Sequence, residues 1–146
     1  MPKKPAKYGV KIMCLADARN GYLYNAYIYA GRGSDGLGLT EDEKKLSIPS
    51  QSVIRLVKPI EKSHRNVTAD NWFGSIQVAQ QLQARGLTYV GTLRKNKGEI
   101  PPNFLHHKSR EINTSIYGFH EDITLLSHVA KEIQGCYSSF NYAPWN

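Results

Sequence analysis

Between Arg65 and Leu93 the sequence writes strand, turn, helix and strand in immediate succession, and the rest of the chain is arranged around it. Asn66-Val67-Thr68-Ala69 is a short β-leaning run that stops on Asp70. The bulky pair Trp72-Phe73 follows, and Gly74-Ser75 then opens an amphipathic helix. Ser75 is placed to cap it, and Ile76, Val78, Ala79 and Leu82 fall on one helical face. Gly86 follows Arg85 as a closing C′ glycine, and Leu87 to Leu93 reads as the next strand. Strand, helix, strand at this spacing implies a right-handed parallel crossover. Asp70 then lies on a strand-to-helix turn, where scaffolds present charges in clefts. On this stretch alone a plain turn or capping role is the stronger account of it.

The flanks supply further strands. Met1 to Lys7 is an extended basic lead-in. From Tyr8 to Ala16, Val10, Ile12, Cys14 and Ala16 alternate with Lys11, Met13 and Leu15, so both faces are largely apolar and the strand is expected to be covered on both sides. It ends on Asp17. Asn20-Gly21 signals a tight hairpin into Tyr22–Tyr29. Gly31 to Gly38 matches neither dinucleotide nor P-loop spacing and reads as a flexible loop. Glu41 to Lys45 reads as solvated chain, Val53 to Val57 as a short helix ended by Pro59, and Gly98 to Ser109 as loop. Ile112–His120 and Ile123–Val129 complete the strands, with Glu121-Asp122 at their turn. The resulting class is α/β, one domain with a mixed sheet and flanking helices.

At 146 residues, with 40% hydrophobic and 21% charged residues, the chain has material for one core and is not disordered. No stretch has the length of a membrane span or the apolar core of a signal peptide, so a soluble intracellular protein with no membrane partner is expected. Cys14 and Cys136 lack metal-ligand spacing, and Cys14 is expected to be a buried thiol. A formal charge of +7 and a pI near 9.4 favour nucleic acid as partner, with ordinary solubility charge as the alternative. The basic residues gather at Lys3, Lys4 and Lys7 and in the tetrad Arg94-Lys95-Asn96-Lys97.

Asp17 and Asp70 each end a strand. Were those strands neighbours, both carboxylates would emerge at one sheet edge. Two hard divalent ions about 4 Å apart require that kind of convergence of oxygen ligands. Such a site prepares a water or hydroxyl for in-line attack on a phosphodiester, with a basic surface holding the DNA.

The sequence closely resembles the piggyBac-type transposase family. The resemblance rests on Lys4 to Lys11, on Asp17 with Gly21-Tyr22, on Tyr29-Ala30-Gly31, on Arg65 through Ser75, and on Arg85 through Lys97 with Glu99-Ile100-Pro101. It covers about Pro2 to Ala130. The resemblance implies a ribonuclease H-like catalytic fold whose three aspartates bind two Mg2+ ions. It also implies an activity that cuts and rejoins DNA at transposon ends and a short AT-rich target. Asp17 matches the first catalytic and metal-binding aspartate and Asp70 the second. Arg94, Lys95, Asn96 and Lys97 lie where the family is basic, and phosphate contact there is our inference, a solvated turn being the alternative. Family and charge together imply a nuclear protein, and the full-length family a homodimer.

The family's third aspartate follows a Gly-Gly-Val, and no such motif occurs in this sequence. Residues 1–131 are therefore expected to form a partial catalytic domain, incomplete on its C-terminal side and inactive in strand transfer alone. Residues 132–146 no longer resemble the family. One allowed back-translation of this tail, read one nucleotide further on, spells K-Y-K-A-V-I-L-L-S-T-M-H-H-G, similar to the apolar strand that the family has next. The tail is expected to be frameshifted and to cost the sheet an interior strand, leaving an unpaired edge. A non-catalytic DNA- or chromatin-binding derivative and a nonfunctional remnant are the other two readings.

Overall fold

The structure is a computed structural model that describes residues 9–31, 33–105 and 110–130, together with the backbone of 138–141. The lead-in at 1–7 and most of the tail lie outside the described residues. The chain divides into two compact units, Met1–Pro59 and Ile60–Asn146.

In the first unit, β1 (Lys11–Ala16) pairs antiparallel with β2 (Leu23–Tyr29), and α2 (Ile48–Val57) packs on the hairpin. The turn between the strands forms around Gly21 at φ 71°, whose N–H donates to the Asp17 carbonyl at 2.8 Å. Asn20 is not left-handed, so this is a longer turn than the two-residue type that Asn-Gly suggested. Strand β1 is not covered on both sides. Met13 and Leu15 face inward, whereas Ile12 is 56% and Ile28 63% exposed, directly opposite each other in register. Cys14, expected to be buried, is exposed opposite Ala26. The reason is architectural: a two-stranded ribbon has two faces, and α2 covers one.

Three expectations between the units' boundaries and β2 change for similar reasons of context. The glycine-rich segment holds a one-turn 3-10 helix, Ser34–Gly36, with all three residues buried. There Asp35 is 1% exposed, and its Oδ1 accepts from the Tyr27 hydroxyl and from the Ser52 hydroxyl at 2.9 Å. Glu41–Lys44 is a short helix, α1, started by a capping box in which the Thr40 hydroxyl and Glu43 carboxylate each accept a backbone N–H of the other. Helix α2 begins five residues earlier than Val53, because Pro49 sits in its first turn, where a missing N–H costs nothing.

The second unit is a five-stranded mixed sheet in the order β3-β4-β7-β6-β5. Its strands are β3 (Asn66–Ala69), β4 (Thr88–Leu93), β5 (Ser115–His120), β6 (Ile123–His128) and β7 (Ser138–Asn141). Strands β3 and β4 are parallel and the other neighbours antiparallel, with α3 (Ile76–Gln83) as the crossover element. Ser75 caps α3 as its sequence suggested, its hydroxyl accepting from Val78 N–H at 3.0 Å. Gly86, at φ 68°, closes it. Val78 and Leu82 are fully buried, with Val67, Tyr89 and Leu93 of the parallel pair also in the core.

The tail does not leave the sheet with an unpaired interior edge. The backbone of 138–141 pairs antiparallel with both β4 and β6. Ladder hydrogen bonds are made by the main chain and do not depend on which side chains a strand carries.

Candidate metal and nucleic-acid site

Strand β3 delivers Asp70 to the C-terminal edge of the parallel pair, the edge where open α/β sheets bind ligands. The next four residues form a tight turn: Phe73 N–H and Gly74 N–H both donate to the Asp70 carbonyl, at 3.2 and 3.1 Å. Trp72 N–H donates to Asp70 Oδ1 at 3.0 Å. Asp70 is exposed, and among the described residues its second oxygen accepts no hydrogen bond. Trp72 and Phe73 lock edge to face, with centroids 4.7 Å apart, and are half-buried. Gly74 is the residue that lets this turn approach β4. A Cβ there would stand 2.1 Å from the Thr92 carbonyl oxygen, so only glycine fits.

Asp17 has the same local arrangement on the other unit. Its Oδ1 accepts from Arg19 N–H at 2.7 Å, two residues on, and its carbonyl from Gly21 N–H. Its second oxygen is likewise without a partner among the described residues. Both aspartates are therefore turn formers, as the plainer reading of Asp70 had it, and each keeps one carboxylate oxygen unpartnered among the described residues. Among the described residues β1 pairs with β2 and β3 with β4, in two separate sheets. Carboxylate oxygen suits a hard divalent cation, and each aspartate alone offers one open oxygen of the roughly six such an ion takes. No group of three or more histidine, cysteine, aspartate or glutamate side chains able to hold a metal occurs among the described residues.

The basic tetrad leaves the end of β4 beside the Asp70 turn. Arg94 Nε donates to Asn71 Oδ1 at 3.2 Å, which ties the first cation to the residue after Asp70. Lys97 N–H bonds back to the Arg94 carbonyl at 3.1 Å, curling the tetrad into a turn. Arg94, Lys95 and Asn96 are exposed and Lys97 is partly so. A carboxylate oxygen and a cationic turn at one sheet edge provide complementary contacts for an ion and a phosphate.

Sequence reasoning passed over three supports of this edge. Glu99 reaches from the loop after the tetrad to accept Ile76 N–H at 2.8 Å, adding a second cap to α3. Tyr89 is 2% exposed, and its hydroxyl has no hydrogen-bond partner among the described residues. Burial, and after it the negative charge of Asp70, pushes the Tyr89 phenol up to about 12. Gly91 makes room for that ring. Its position inside a strand is the one signal in the sequence that a close approach occurs there.

Along residues 1–142 the chain matches the family described as Transposase IS4. It is also similar to a solved chain in a cryo-EM structure of the piggyBac transposase synaptic complex with hairpin DNA, at 36% identity and a TM-score of 0.80. The likeness covers 100% of this chain and 30% of that one. The chain belongs to the piggyBac-type transposase family. Its mixed α/β architecture is that of a piggyBac transposase region, and the βαβ segment with Asp70 lies within the matched residues. Within this piggyBac-type chain, no helix among the described residues is long and apolar enough to cross a membrane.

Proposed function

We propose that residues 1–131 form part of a ribonuclease H-like catalytic domain of a DNA transposase, with Asp17 and Asp70 as two of its metal ligands. The observation that carries this reading is the Asp70 turn, which leaves one carboxylate oxygen free beside a cationic turn. The two aspartates would hold Mg2+ through their open oxygens. When bound, the ions supply Lewis-acid activation of a water or hydroxyl and stabilise the leaving oxygen of the phosphodiester. The chain's own residues do the rest. Trp72 N–H and Arg19 N–H fix the carboxylates, and Arg94, Lys95, Asn96 and Lys97 hold the DNA backbone. The partner is DNA, as transposon ends or an AT-rich target; the solved relative is a synaptic complex with hairpin DNA. A nuclear location and, for the longer family protein, a homodimer belong to the same proposal.

Two of three carboxylates leave the ion pair underliganded, so the chain is inactive in efficient strand transfer by itself. The net charge of +7 also favours a second reading, DNA binding without catalysis, which needs no metal. Fluorescence anisotropy on hairpin and duplex DNA across a salt series tests the binding that both readings share. Replacing Arg94, Lys95 and Lys97 by alanine is expected to weaken binding to all sequences. The log–log salt slope is expected to fall by roughly 2 to 3, one phosphate contact for each cation. The same protein, given Mg2+ or Mn2+ and end DNA, is expected to yield no efficient strand transfer. Robust transfer abolished by Asp17→Asn would show the site to be complete and overturn the partial-domain reading.

A further inference from the structure

Tyr89 carries a polar atom that the core around it does not use. Buried tyrosine hydroxyls normally find partners, and phenylalanine fills the same space without the desolvation cost. Here the hydroxyl is buried and orphaned among the described residues. The direction of the ring is set by Gly91. A Cβ at that position would lie 2.3 Å from the Tyr89 hydroxyl and 2.6 Å from the adjoining ring carbon, so the ring lies along β4 over Gly91. The same point is 2.9 Å from the carbonyl oxygen of Ala69, which faces Gly91 across the parallel pair. The hydroxyl is therefore carried towards the strand ends, beside the residue that precedes Asp70. Asp70 follows Ala69 directly at the end of β3, and a tyrosine hydroxyl is a hydrogen-bond donor at ordinary pH. On one side is a donor without an acceptor. On the other is a carboxylate with one oxygen held by Trp72 N–H and the second unpartnered among the described residues.

We propose that Tyr89 is a positioning residue for Asp70: its buried hydroxyl donates to the open carboxylate oxygen through one water and fixes the orientation that Asp70 presents to a divalent ion. Partners of this kind hold ligating carboxylates in place, and their loss typically weakens metal binding 10- to 100-fold. The metal half of the proposal rests on the reading of Asp70 as a ligand. The positional half does not.

The test uses the full chain with Tyr89→Phe, which keeps the ring and removes the hydroxyl. Without metal, hydrogen exchange of the Trp72 amide reports on the Asp70 side chain, which that amide caps. Exchange several-fold faster than in the unaltered protein is expected, with an unfolding midpoint unchanged or higher. Unchanged Trp72 exchange overturns the proposal, and a lowered midpoint beside it assigns Tyr89 to packing alone. Mn2+ titration by calorimetry is the second readout, with Asp70→Asn as reference. Loss of binding in Asp70→Asn and a 10- to 100-fold weakening in Tyr89→Phe are expected. Loss in the first with unaltered affinity in the second overturns the role of Tyr89 and leaves the ligand reading intact. If Asp70→Asn binds as the unaltered protein does, the ligand reading fails, and Trp72 exchange still decides whether Tyr89 positions Asp70.

Discussion

At the scale of residues, the Asp70 edge depends on two glycines for opposite reasons. Gly91 yields its side-chain space to a neighbouring ring, whereas Gly74 yields its own to the backbone of β4. A ring can turn aside, but a carbonyl in a sheet ladder cannot. Gly74→Ala, with its Cβ 2.1 Å from Thr92 O, is therefore expected to destabilise the fold by about 2 to 3 kcal/mol through overpacking. A shift of the urea midpoint at unchanged slope would register it, and a midpoint within error of the unaltered protein would contradict the packing described. This contact was not legible in the sequence. Gly74-Ser75 announced a helix start correctly, but nothing in one strand's residues tells how closely another strand's carbonyl approaches. Asp17 and Asp70 were legible as strand-end carboxylates. Their shared habit of spending one oxygen on the N–H two residues on required coordinates.

At the scale of elements, α2 is anchored on the hairpin by polar groups that no sequence pattern announces. Tyr27 and Ser52 both donate to Asp35, and the Arg55 guanidinium lies 3.9 Å above the Tyr27 ring. Asn25 Nδ2 donates to the carbonyls of Arg55 and Leu56, at 3.3 and 3.0 Å, near the C-terminal end of α2. Burial, and then the hydrogen bond to Asp35, raises the Tyr27 phenol to about 12, as Tyr89 is raised in the other unit. Both phenols are held above their unfolded value of 10.0, so the stability they contribute is whole below pH 10 and is lost as pH rises from 10 towards 12. Urea unfolding is expected to be insensitive to these groups up to pH 10. Above it stability falls by about 1.4 kcal/mol per pH unit for each tyrosine. Tyr27→Phe removes its share of that slope; an identical alkaline slope in the variant would show that Tyr27 is not buried neutral. Strands and helices followed from periodicity, and their ends moved by one to five residues. In the glycine-rich segment four glycines suggest a flexible loop, whereas the buried Asp35 carboxylate among them holds a 3-10 turn in place.

At the scale of the molecule, the parallel βαβ segment was readable because its strand, caps and apolar face all agree locally. The β1–β2 pairing was readable too, from the hairpin signal at Asn20-Gly21, whereas the order of the larger sheet was not, because it is decided by long-range contacts that no local pattern encodes. The same holds for the tail, whose backbone at 138–141 occupies an interior strand position whatever its side chains resemble. The proposed chemistry rests on Asp17 in one unit and Asp70 in the other, each with one carboxylate oxygen unpartnered among the described residues. Electron paramagnetic resonance of Mn2+ titrated into the full chain tests that pair most directly, in the unaltered protein and in Asp17→Asn, Asp70→Asn and the double variant. The account predicts binding by the unaltered chain, at least about tenfold weaker binding in each single variant, and none in the double. Binding that is equal in all four proteins, or absent from the unaltered chain, would contradict it.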